Sequence, residues 1–313
     1  MTRTVPPVTT SSSDPSGQPS TELRNPRTTG IDRVSTAEAL RLILAEDVFA
    51  VHAALAVSEA LSRAVDAAAI AAGRGGRIHY FGAGASGRLA MLDATEMSPT
   101  FGVESTMFEV HFPGGAAALA DSSIDLEDES RLGASDAEEV RSGDFVLGVT
   151  ASGTTPYVAA ALRRSREVGA TTVLLSMWPQ TPLAREVDIA VLPDTGPEAL
   201  TGSTRLKAGT ATKVMLNAFS TTLMIRLGRT HSNLMVGMRA TNAKLDHRAV
   251  HHLAEASGCE PDEARRVLAE ASGEVRVALV MLLSGSGPAD ARAALARAGS
   301  VAGAVSTVDG ETG

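Results

Sequence analysis

Five short apolar runs through the middle of the chain constrain its fold more than any other feature. They are RIHYFGAG (77–84), STMFEVHF (105–112), DFVLGVTASG (144–153), TTVLLSM (171–177) and VDIAVLPD (187–194). Runs this short and this continuously apolar suit strands buried on both faces, and the helical patterns between them suit parallel crossovers. The expectation is an α/β fold: a five-stranded, mostly parallel sheet flanked by helices, followed by a small helical C-terminal subdomain. Ahead of the first run, residues 37–73 carry apolar side chains at helical spacing. They predict two helices, roughly 37–45 and 48–72, ending at Gly73. A glycine pair after the second run leads into a helical stretch expected through Leu126 and Glu129, Pro156 opens a helix after the third, and a long helix is expected over about 204–226.

Residues 1–20 are rich in Ser, Thr and Pro and read as a disordered tail. Residues 21–240 read as the sheet domain with its N-terminal helices. From 241 to 313 the pattern is helical, with Pro261 and Pro288 at first-turn positions and Gly258, Gly273 and Gly285 at ends. The last stretch, VSTVDGETG, reads as a frayed end. Only 3% of the 313 residues are aromatic, so the core is built from Ala, Val, Leu and Ile, and little is left for base stacking. A formal net charge of −8 argues against a basic nucleic-acid face. No apolar run approaches the roughly 18 residues of a membrane span, and the first twenty residues lack the apolar segment of a secretory signal. One cysteine, Cys259, supports neither a disulfide framework nor a thiolate cluster. A cytoplasmic protein without nucleic-acid or membrane partners is expected.

Two strand–turn–helix junctions carry the chemistry: GAGASG (82–87) and VTASGTTPYV (149–158). In open α/β sheets the ligand crevice lies outside the carboxyl ends of the strands, where helix N-termini present unpaired N–H groups. Small residues let an anion approach the backbone, and hydroxyls add donors. Gly84, Ala85, Ser86, Thr150, Ser152, Gly153, Thr154 and Thr155 are thus candidate phosphate-binding residues. Gly82, Gly84 and Gly87 also complete the spacing G-x-G-x-x-G of a dinucleotide fingerprint. Its acidic partner is missing, because Glu104 starts the second strand and Glu109 lies within it. No Walker P-loop and no G-x-S-x-G motif occurs. A third cluster, TGPEALTGSTRLKAGTATK (195–213), holds Glu198, Ser203, Arg205 and Lys207 at the mouth of a long helix, where a loop can close over a ligand.

Two acidic positions complete the candidate chemistry. Glu96 lies in DATEMSPT, three residues after Asp93, at the end of the helix expected from Ser86; Glu127 lies in DLEDES among Asp125, Asp128 and Glu129. Two carboxylates whose environments separate their pKa values can serve as acid and base, although an acidic run such as 125–129 is usually a solvated helix face. Of seven histidines, His247 and His251 are four apart on a helix without a third ligand on that face. No H-E-x-x-H occurs, and no metal site is expected.

RIHYFGAGASGRLAMLDATEMSPTFG, VTASGTTPYV, GPEALTGSTRLKAGTATK and SNLMVGMRATNAKLD together resemble the N-acetylmuramic acid 6-phosphate etherases, of the sugar isomerase (SIS) domain superfamily. The likeness runs from about Thr21 to the helical C-terminus. It implies an SIS fold and a reaction needing neither metal nor organic cofactor, in which water cleaves the D-lactyl ether of N-acetylmuramic acid 6-phosphate to N-acetylglucosamine 6-phosphate and D-lactate. The match of DATEMSP puts the acid on Glu96, with burial beside Leu92 and Met97 expected to raise its pKa. Counting from the glycine pair puts the second catalytic group on Glu127, with Asp128 or Glu129 as alternatives because the following segment is shorter than the family's. Glu198, Ser203 and Lys207 join the two junctions as implied substrate contacts. On a straight helix Glu96 stands about 15 Å from Ser86, so the chain folds back, the 150–155 loop holds the phosphate, or a second subunit shares the pocket. A homodimer is implied, with helices near 37–72 and 204–226 contributing. Two other superfamily activities are weighed against this one: an aldose–ketose isomerase, which would release no lactate, and a sugar-phosphate sensor, which would bind without turnover.

Overall fold

The computed structural model describes residues 17–238 and 243–311; most of the expected tail and the expected break at 240 lie outside them. Contacts divide the chain into two compact units, residues 17–93 with 108–219 and residues 94–107 with those from 220 on.

The first unit opens with α1 (Thr36–Ala56) and α2 (Ser58–Gly73). Ser35 caps α1 by accepting a hydrogen bond from the Glu38 amide. The break falls at Val57 and not between 45 and 48 as expected. The reason is tertiary: Glu46 is buried, and its carboxylate accepts from Arg27 and, at 2.8 Å, from Lys207 Nζ.

The sheet follows as β1 (Ile78–Gly82), α3 (Gly84–Thr95), α4 (Met97–Phe101), β2 (Phe108–His111), α5 (Gly115–Ala120), α6 (Ser130–Asp136), β3 (Phe145–Val149), α7 (Pro156–Glu167), β4 (Thr171–Leu175), β5 (Ile189–Val191) and α8 (Lys207–Arg226). All five expected strands are present. Every pairing is parallel, and the strand order is β2-β1-β3-β4-β5. On one face Phe81, Val146 and Leu174 pack with Tyr157, Val158 and Leu162 of α7. On the other, Phe219 of α8 stacks on Phe145 and lies against Tyr80. The stretch after Gly115 is not one helix through Glu129. Asp121 Oδ1 accepts from the amide and hydroxyl of Ser123 at 2.9 and 2.7 Å, closing a turn that stops α5 at Ala120.

The second unit contains α4 and α9 (Ala243–Ser257), α10 (Pro261–Glu270), α11 (Val275–Ser284), α12 (Pro288–Ala298) and α13 (Val301–Glu311). Val275 and Val277–Met281 of α11 are all buried, as an all-round apolar helix must be. The ending expected to fray is helical through Glu311, because Val301 and Ala304 are buried in the same core and Val305 and Val308 pack against it.

Lys207, Glu46 and Arg27 tie the start of α8 to α1 and to the segment before it. Burial opposes the charge on Glu46, but the hydrogen bonds from Arg27 and Lys207 outweigh it and bring its pKa from 4.5 to about 2. A carboxyl depressed in the folded state contributes stability that is present above its ordinary pKa and lost as pH falls through the folded value. We expect the unfolding free energy, from urea titrations, to decline between pH 4.5 and 2, and this decline to be shallower in Glu46→Gln. Lys207→Met, which breaks a buried pair, is expected to cost about 3 kcal/mol at neutral pH.

Candidate active site

The order β2-β1-β3 sends the crossovers from β1 and β3 to opposite sides, which opens a crevice at their carboxyl ends. Both glycine junctions lie there. An ideal Cβ on Gly82 would stand 2.8 Å from the Cα of Gly87, so these two glycines let α3 pack directly on the end of β1. Gly84 begins α3 at φ +53°. The dinucleotide fingerprint stays incomplete, since Glu109 pairs with Arg77 inside β2 and does not close the strand. After β3, Gly153 turns the chain at φ +71°, where a Cβ would meet Thr181 and Ser176 at 2.7 Å. Thr181 Oγ1 donates to the Gly153 carbonyl at 2.6 Å and pins the loop from behind. In front, Thr150 Oγ1 lies 2.7 Å from Thr155 Oγ1 and 3.3 Å from Ser152 Oγ, and accepts from the Gly153 amide at 3.3 Å. Ser152 Oγ accepts from the amide and hydroxyl of Thr154. Thr155 precedes Pro156 at the start of α7 and makes no side-chain cap to the helix.

These groups surround one cavity of about 170 Å³. Gly84, Ala85 and Ser86 line it from the first junction, and Thr150, Ser152 and Thr155 from the second. Glu127 lines it as well. Two helix starts and a cluster of hydroxyls around a small space make an anion cradle that needs no lysine. Gly153 and Thr154 shape the loop without lining the space.

Glu127 stands on a loop and not on a solvated helix face. Its carbonyl accepts from the Tyr157 amide at 3.0 Å, which tethers the segment to α7. Its carboxylate lies over Gly84, 3.9 Å from where a Cβ there would be. Partial burial, and then the charges of Asp125 and Asp128, hold its pKa above the ordinary carboxyl value. Asp128 and Glu129 do not line the cavity. Asp125 lines a smaller neighbouring one of about 140 Å³, with Gly84, Arg88 and Glu127 itself.

Other candidate residues have different positions. Glu198 is fully buried, and its two carboxylate oxygens accept from the Lys207 and Ala208 amides at 2.9 Å, capping α8. Lys207 is equally buried on Glu46 and the Pro197 carbonyl. Ser203 does not line the cavity, but its neighbours Gly202 and Thr204 do. Asp93 is buried and accepts from the Tyr80 hydroxyl at 3.1 Å. Glu96 belongs to the second unit, at the corner where α3 ends and α4 begins. The expected burial is not found: Glu96 is exposed and Leu92 is 48% exposed, while Met97 is buried.

The lining residues that sequence reasoning missed include Glu22, Thr204, Gly209 and Thr212. Thr204 adjoins a chosen residue and was within reach of the same argument. Glu22 had no local signal; it arrives because the Gly202 amide donates to the Thr21 carbonyl at 3.2 Å. The lining offers carboxylates and hydroxyls but neither imidazole nor thiol. Away from it, His79, Glu109 and His111 form the group with metal-ligand spacing among the described residues. Burial pushes His79 below its ordinary pKa and, with His79 beside it, lowers His111 to about 4.

Residues 60–166 match the family model of the glucokinase regulatory protein N-terminal SIS domain. The chain is 50% identical over 264 residues to an N-acetylmuramic acid 6-phosphate etherase of Thermobifida fusca (strain YX), covering 84% of this chain and 87% of that protein. Against the protein of that name in Salmonella typhi it is 46% identical over 277 residues, 88% of this chain and 93% of the relative. A phosphoheptose isomerase structure from Francisella tularensis superposes at a TM-score of 0.50 with 15% identity, covering 61% of this chain and 100% of the other, which is a likeness of fold. With half of its residues shared along most of its length, the chain belongs to the N-acetylmuramic acid 6-phosphate etherase family.

Proposed function

We propose that this chain cleaves the D-lactyl ether of N-acetylmuramic acid 6-phosphate with water, giving N-acetylglucosamine 6-phosphate and D-lactate. The observation that carries this reading is the convergence of both junctions and Glu127 on one cavity. The helix starts and hydroxyls hold the phosphate, and a carboxylate with a raised pKa stands beside it as a base. An ether oxygen leaves poorly from a saturated carbon. In the open-chain sugar the C1 aldehyde acidifies the C2 proton, and elimination becomes accessible. Glu127 takes that proton, the C2–C3 double bond forms, and the C3–O bond breaks. The lactate oxygen takes a proton from Glu96. Water then adds at C3, losing a proton to the Glu96 carboxylate, while Glu127 returns its proton to C2. Both carboxyls end as they began. The Glu96 assignment rests on the DATEMSP match. Isomerisation would need the base alone, so release of lactate separates the two activities.

The working unit in this reading is a homodimer in the cytoplasm. Leu40, Leu44, Val48, Val51 and Leu55 are all exposed and follow one another at three- and four-residue steps along α1. That spacing makes an apolar stripe of the kind that a second helix covers. Among the described residues no helix is long and apolar enough to cross a membrane.

In ¹⁸O-labelled water the label is expected at C3 of the product and absent from the lactate; label in the lactate would reject elimination and hydration. Glu127→Gln and Glu96→Gln are each expected to lower kcat for lactate release by roughly 10²–10⁴-fold, and full activity in either removes that residue from its role. Asp125→Asn takes away a like charge and lets the Glu127 pKa fall. The acidic limb of its kcat/KM profile should move to lower pH, because the base is then deprotonated earlier. The Leu44→Glu, Leu55→Glu double variant should sediment as a single chain where the parent sediments as two.

A further inference from the structure

We propose that His79, Glu109 and His111 form a binding site for a divalent transition metal of the zinc class, separate from the sugar-phosphate cavity. Parallel pairing sets His79 opposite Glu109 and Phe81 opposite His111. Strand periodicity then turns His79, Glu109 and His111 to the same face of the sheet. His79 Nδ1 lies 3.0 Å from His111 Nε2 and 3.5 Å from Glu109 Oε2, and all three ligand atoms fall within 4.8 Å of one another. A tetrahedral zinc with bonds of roughly 2.0–2.1 Å separates its ligand atoms by about 3.3 Å.

The hydrogen bonding points the same way. His79 Nε2 lies 3.2 Å from Asp144 Oδ2, and Asp144 is itself fixed by the amides of Arg77 and Arg141, both at 2.8 Å. An imidazole that donates from Nε2 to a carboxylate offers a lone pair at Nδ1, which is how a metal-bound histidine is oriented. That lone pair lies within reach of both His111 Nε2, which can donate to it at 3.0 Å, and Glu109 Oε2 at 3.5 Å. Glu109 Oε1 is taken by Arg77, while Oε2 is buried without a hydrogen-bond partner. A buried carboxylate oxygen without a hydrogen-bond partner costs free energy that a cation would recover. His111 is oriented from its other side by Phe81, whose ring stacks on it at 4.1 Å. Glu109 and His111 are only half-buried, on the edge strand β2, so an ion has a way in and a fourth position for water. Bound there, the metal would fasten β2 to β1. Arg77 beside the same carboxylate opposes the ion's charge and weakens its hold.

The test is titration of the full-length, chelator-dialysed protein with Co²⁺ and then Zn²⁺. The expected result is one equivalent of Co²⁺ with the visible absorption of a tetrahedral site, displaced by Zn²⁺, together with a thermal midpoint that rises at saturating Zn²⁺. Asp144→Asn should weaken binding roughly 10–100-fold, and Glu109→Gln and His111→Gln by more. His247→Gln with His251→Gln, on α9, should leave it unchanged. Circular dichroism establishes that each variant is folded. Should a variant fail to fold, the parent titration still decides. Failure of the parent to take up one tetrahedral Co²⁺, or binding that survives His111→Gln, or binding that follows the α9 pair, overturns the proposal.

Discussion

The parallel pairing of β1 with β3, at the point where the strand order reverses, is the constraint on which the candidate site depends. The crossovers from β1 and from β3 leave this point on opposite faces of the sheet, so no helix fills the space outside the two strand ends. The glycines turn that topological gap into a site. Gly82 and Gly87 bring the start of α3 down onto β1, and Gly153, held from behind by Thr181, bends the second loop so that its hydroxyls face forward. Pre-oriented dipoles of this kind can receive an anion without reorganising, so a net negative charge is compatible with the phosphate site proposed there.

Glu198 and Lys207 show how a polar cluster can be read correctly for place and differently for role. Their segment does stand at the mouth of a long helix. Yet the Glu198 carboxylate is spent on the first amides of α8, and the Lys207 ammonium on Glu46 and a carbonyl. Buried charges need their partners close by, and those partners are supplied by α1 and by the loop after β5. The outcome is a fixed start for α8, from which Gly209 and Thr212 reach the cavity wall. Glu127 is the opposite case. An acidic run that looked like a solvated face became a loop tethered by the Tyr157 amide, and its carboxylate came to rest over Gly84.

The strands, the glycine elbows and the first-turn prolines were legible because each is a local signal: apolar runs, a backbone needing φ > 0, a residue that cannot donate. The break between α1 and α2 was not, because the buried partners of Glu46 lie far along the chain at Arg27 and Lys207. The end of α5 turned on one side chain, Asp121, hydrogen-bonding two residues ahead. The helix after Ser300 survived through burial of Val301 and Ala304, which the composition of its last residues concealed.

By itself, the order of residues determined the layered α/β architecture, the two phosphate-ready junctions and the family, since each is written in periodicity or in contiguous motifs. Only the tertiary structure decided which polar side chains meet. It set Glu127 and Glu22 on the same cavity, committed Glu198 and Lys207 to capping and pairing, and brought His79, Glu109 and His111 together across β1 and β2. The reason is that a hydrogen bond or an ion pair acts over a few ångströms of space, whatever the distance along the chain, and folding alone sets that separation.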